Sequence, residues 1–70
     1  MTVKIIEVVG ESKNSFQEAV ENAVRDASKT IKNITGVEVR NQTANVEGGK
    51  IVEYKADVAI AFKVEGTTEV

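Results

Sequence analysis

IVEYKADVAIAFKV, residues 51–64, decides the fold. Its even positions are Val52, Tyr54, Ala56, Val58, Ile60, Phe62 and Val64. Its odd positions are Ile51, Glu53, Lys55, Asp57, Ala59, Ala61 and Lys63. This period of two is that of a β-strand with one face turned to a core. Working back along the chain, Glu47-Gly48-Gly49-Lys50 supplies the paired glycines of a tight hairpin turn. The segment before it, about 37–46, is a second strand, irregular and polar through Asn41, Gln42, Thr43 and Asn45, so a bulge is expected there. Ahead of that, Phe16, Ala19, Val20, Ala23, Val24, Ala27 and Ile31 recur at helical spacing. Ser15 with Glu18 forms a capping-box pattern, and Glu21 and Arg25 stand four apart, which predicts a helix over 16–33. Residues 2–9 are a β-branched run closed by Gly10 and read as a first strand; residues 65–70 read as a frayed tail.

The predicted fold class is α+β, a single domain in the order β-α-β-β, with strands at 2–9, 37–46 and 50–64. A right-handed crossover sets strands 1 and 2 parallel, and the hairpin sets strand 3 antiparallel to strand 2. Placing strand 3 centrally gives a three-stranded antiparallel sheet curled around one helix. Fourteen strand residues span roughly 46 Å, whereas eighteen helical residues span about 27 Å. One helix therefore cannot cover the sheet, and strand 1 carries Val3 and Ile5 on one face with Ile6 and Val8 on the other. Apolar surface left over in this way marks an interface.

Composition points the same way. The chain has 70 residues with no Cys, His, Pro or Trp, and it has no Leu, so its aliphatic content is Val, Ile and Ala. A domain of this size buries only about 60% of its unfolded surface and is usually reinforced by disulfides, a metal or oligomerisation. The missing Cys and His remove the first and nearly every zinc or copper site, leaving self-association. They also remove the Ser-His-Asp triad, a Cys nucleophile and an imidazole acid or base, so no enzyme is expected. A net charge of −2 speaks against nucleic acid. No apolar run reaches the ~20 residues of a membrane span, and residues 1–9 are too short and too charged for a signal peptide. The expected place is the cytoplasm, with no membrane partner. The sequons at Asn33 and Asn41 are read as chance.

The chain resembles the dodecin family over residues 3 to about 66. The stretches that carry the resemblance are Glu7-Val8-Val9-Gly10 with Ser12, Ser15-Phe16 and Ala19, Ala23, Ala27 and Thr30-Ile31, Glu38-Val39, Tyr54, and Val58 through Glu65. The resemblance implies a hollow homododecamer built from trimers that binds flavins, FMN or riboflavin, without catalysis, each ring stacked between its partner flavin and a Trp and hydrogen-bonded by a Gln of strand 3. Some members also bind coenzyme A. It places the ligand against Gly36, Val37, Asn41, Asn45 and Lys55. Here the stacking Trp falls on Gly36 and the Gln on Lys55, while Asn41 and Asn45 stand where relatives use acidic residues.

Those departures have a magnitude. An indole covering ~100 Å² of flavin contributes about 2.5 kcal/mol, and stacking geometry adds roughly 0.5–1.5 kcal/mol. Its loss weakens binding by about two to three orders of magnitude. Lys55 accepts no hydrogen bond, but it offers a phosphate an anchor. Gly36 reads either as a left-handed glycine ending the helix or as an opened pocket wall. Lys55, flanked by Glu53 and Asp57, reads as an ion-pair member or a ligand contact. Phe16, Tyr54 and Phe62 read as core. Glu7, Glu38, Glu53 and Asp57 admit a calcium- or magnesium-binding shell as the alternative function, although no EF-hand loop is present.

Overall fold

The structure is a computed structural model and describes residues 2–64; the tail expected at 65–70 lies outside them. The elements are β1 (Thr2–Ser12), α1 (Phe16–Ser28), β2 (Ile34–Glu47) and β3 (Lys50–Val64). They form one antiparallel sheet in the order β1-β3-β2, so β3 is central, as the crossover and the hairpin together require.

The boundaries move for physical reasons. β1 does not end at Gly10 but continues to Ser12. Gly10 pairs with Ala56, and a Cβ there would lie 2.0 Å from the Ala19 carbonyl oxygen and 2.8 Å from the Ala23 Cβ. The glycine lets the helix backbone sit against the strand and does not make a turn. α1 ends five residues short of the expected 33. The β-branched Thr30 and Ile31 are weak helix formers; their amides close a last turn on the Ala27 carbonyl. Asn33, at φ 65°, then turns the chain back, and β2 starts at Ile34, three residues earlier than expected.

At the helix N-terminus, Ser15 Oγ accepts from the Glu18 amide at 3.0 Å. The Glu18 carboxylate does not return to Ser15; it accepts from Ser12 Oγ and Asn14 Nδ2, each at 2.6 Å. Those two donors hold the Glu18 pKa below the ordinary glutamate value. Arg25 donates to Asn22 at 2.6 Å, and Glu21 accepts from Gln17, so the expected Glu21–Arg25 pair gives way to amide contacts. The hairpin turn has Gly48 and Gly49 at φ 59° and 78°, both left-handed as a two-residue turn of this twist requires.

The core is small. Ala19 and Ala23 of α1 pack on Ala56, Val58 and Ile60 of β3, with Ile6, Val8, Val20, Ala27 and Ile34 around them. Phe16 and Tyr54 meet edge to face with ring centroids 4.9 Å apart. Phe62 is half-buried. Thirteen helical residues cover about 20 Å, whereas the molecule is 57 Å long. Its radius of gyration is 14.6 Å, against ~11 Å for a compact chain of this length. The far end of the hairpin is left bare, with Val46 61% and Ile51 51% exposed, and β1 carries Ile5 at 64% and Val9 at 59% on the face away from the helix.

Candidate functional site

Register assigns each candidate residue to a face, because directly opposed residues on paired strands point the same way. The core residues of β3 are even-numbered, so its odd positions form the outer face. Gly36 opposes Ala61, Asn41 opposes Asp57, Thr43 opposes Lys55 and Asn45 opposes Glu53. Gly36, Asn41, Asn45 and Lys55 therefore share the outer face. Val37 opposes Ile60 and lies on the helix side, 43% exposed where the helix fails to reach. The bulge between Val39 and Asn41 makes this sorting possible: it turns the polar run of β2 outward and keeps Val37 and Val39 on the core side.

Gly36 is not the helix cap. Asn33 takes the left-handed position, while Gly36 lies within β2, and a Cβ on it would meet nothing within 4 Å. The surface there is open. Lys55, about one-third exposed, pairs with Glu11 at 3.8 Å across β1–β3, a partner that the flanking Glu53 and Asp57 had masked in the sequence. Asn45 Nδ2 donates to Glu53 Oε1 at 3.3 Å and Asn41 Nδ2 to Asp57 Oδ2 at 3.5 Å. The two asparagines thus brace carboxylates of β3.

The structure does not bring the whole set together. Gly36 sits at the level of Ala61 and Lys55 six residues away along β3, a separation of roughly 20 Å. On one chain the two positions are too far apart to line one compact pocket together.

The carboxylates are only partly assembled. Glu7 and Glu38 oppose Ala59 from either side, and Asp57 is the next outer residue. Asp57 Oδ1 is buried without a hydrogen-bond partner among the described residues. The Glu7 pKa is raised above the ordinary glutamate value, first because its proton bonds to Asp57, then by Coulomb repulsion from Asp57 and by desolvation, with Arg40 pulling the other way. Among the described residues, no group of three or more acidic side chains is placed to hold a metal ion. A groove of about 300 Å³ also opens between α1 and β1, lined by Ile6, Val8, Ala23, Ala27 and Ile31 with Asp26 and Thr30 at its polar end.

The family model for Dodecin matches residues 2–65. The chain belongs to the dodecin family. Dodecin from Streptomyces coelicolor is 30% identical, with a TM-score of 0.90 and 94% of each chain covered. The tt0972 protein from Thermus thermophilus is 26% identical at a TM-score of 0.91, covering 94% of this chain and 97% of that one. A calcium dodecin from Mycobacterium tuberculosis, described as calcium-chelating with a novel calcium-binding site, is 27% identical over both full chains at a TM-score of 0.80. Among curated proteins, no sequence matches. No helix of the described residues is long and apolar enough to cross a membrane.

Proposed function

We propose that this dodecin assembles with copies of itself into the family's closed shell and holds a flavin or similar planar molecule between subunits, weakly and without catalysing a reaction. The observation that carries the reading is that Gly36 and Lys55 share one face yet stand roughly 20 Å apart, so a pocket that includes both is intersubunit. The bare apolar side chains of β1 and of the hairpin end support assembly. The weakness follows from Gly36, which offers no ring to stack on, and from Lys55, which offers no acceptor. The missing His and Cys support a binding role over a catalytic one.

Titration of the purified oligomer with riboflavin, lumichrome and FMN tests this by fluorescence quenching. Quenching in the micromolar range supports it, and none at ~100 μM ligand removes the flavin reading.

The unpartnered Asp57 Oδ1 beside Glu7 favours a second reading, a shell that binds calcium or magnesium in place of a flavin. Symmetry would have to supply further oxygens from other copies. A melting temperature that rises with calcium supports it; indifference to millimolar calcium excludes it.

A further inference from the structure

We infer that the groove between α1 and β1 receives the hairpin end of a second copy of this chain, with Val46 and Ile51 of one copy seated against Ile6, Val8, Ala27 and Ile31 of the next. This rests on the reading that the chain assembles with itself, and it names the surfaces that meet. The groove holds about 300 Å³ and its walls are aliphatic, with Asp26 and Thr30 at one end. That volume lies at the bottom of the range for small-molecule pockets, and two polar side chains at one end give a small ligand little to orient it. Aliphatic side chains fill such a space better. Val46 and Ile51 are directly opposed on β2 and β3, so they stand together as a ridge on one face. Both are more than half exposed.

The ridge and the groove cannot meet within one chain. The groove lies at the level of Val58 and Ile60, which pair with Val8 and Ile6, whereas Ile51 is seven to nine residues earlier on the same continuous strand. That separation is roughly 23–30 Å. The contact therefore runs from copy to copy, either reciprocally across a two-fold axis or head to tail around a ring. Charge agrees with this docking. The ridge runs into Glu47 opposite Lys50 at the turn, and the polar end of the groove carries Asp26 paired with Lys29 at 3.3 Å. Each side thus offers one acid and one base. The Asp26 and Lys29 side chains are 70% and 69% exposed. So exposed a pair is held by little and can exchange partners with Lys50 and Glu47.

The chain has no Cys, so two engineered thiols read the contact cleanly. Thr30→Cys combined with Ile51→Cys, treated with a short bismaleimide as the native particle, should give covalent dimers or larger species on a denaturing gel. The two thiols of one chain stand too far apart to join each other. Each single variant should stay monomeric on the same gel. Ile51→Lys, at a position exposed enough for the fold to accept a charge, should cut the assembled fraction several-fold. A double variant that stays uncrosslinked while native mass spectrometry still shows its particle overturns the contact and leaves self-assembly standing. Dimers formed equally by Ile51→Cys alone mean that ridge meets ridge, and an Ile51→Lys particle unchanged in mass and yield means that the ridge is bare; either overturns it as well. A parent chain that is a 7.6 kDa monomer removes the assembly reading and this inference together.

Discussion

Gly10→Ala should be the most damaging single-methyl change in this chain. The added Cβ would stand 2.0 Å from the Ala19 carbonyl oxygen and 2.8 Å from the Ala23 Cβ, where ordinary contact begins near 3.4 Å. The helix backbone must retreat by more than an ångström, and Ala19 and Ala23 are two of the few fully buried residues that join helix to sheet. Overpacking costs 1–3 kcal/mol when a neighbour can give way. Here the neighbour is backbone, so about 3 kcal/mol is expected. A domain of this length has only ~3.5–10 kcal/mol to lose. At 4–8 °C per kcal/mol the melting temperature should fall by about 12–24 °C. Circular dichroism at one fixed protein concentration measures it, since the proposed assembly would make the midpoint concentration-dependent. Gly36→Ala is the control: it meets nothing within 4 Å and has no left-handed φ. That change should be neutral or stabilising by about 0.4–1 kcal/mol. A Gly10→Ala protein that melts within a couple of degrees of the parent would refute the close approach of α1 to β1.

Further outcomes follow from the same geometry. Gly36→Trp places a ring in open space and should tighten riboflavin by two to three orders of magnitude if the pocket is the family's; an unchanged quenching isotherm counts against that pocket. Ser15→Ala removes the acceptor of the Glu18 amide and should cost about 1 kcal/mol, read in the same melt. Glu7→Gln should stabilise near neutral pH, because the folded chain holds the Glu7 pKa above its ordinary value, so ionised Glu7 opposes folding as pH rises through that raised value. Its gain should shrink as pH falls through that value toward the ordinary glutamate range, in melts recorded from pH 8 to 5. Glu18→Gln should act oppositely: the Glu18 pKa is depressed, so its contribution is present above the ordinary value and lost as pH falls through the depressed one.

β3 and the glycine turn were legible because each rests on a local rule, period-two burial or positive φ; the central position of β3 followed from the handedness of the crossover and the hairpin. The two glycine errors share one origin. Gly10 and Gly36 each looked like punctuation, yet one is a packing contact with the helix and the other an open spot inside β2. Sequence shows that a residue lacks a Cβ, not whether a turn or a neighbour needs it gone. The helix end was missed because Ile31 still fits the apolar stripe, while the reversal is made by Asn33, a residue that also tolerates ordinary backbone. Of the candidate site, Gly36, Asn41, Asn45 and Lys55 came from the family resemblance, and that they share one face follows from the register and the β2 bulge, which the sequence did not locate. Val37 went to the other face because that bulge sits after it. The Lys55–Glu11 pair joins residues 44 apart and leaves no local signal.

The proposed shell rests on the argument that a core of so few side chains in so long a ribbon needs further copies to pack against, and the mass of the native particle tests that most directly. Native mass spectrometry or sedimentation should give a closed species near twelve times the 7.6 kDa subunit. A monodisperse 7.6 kDa species that still melts cooperatively would contradict it.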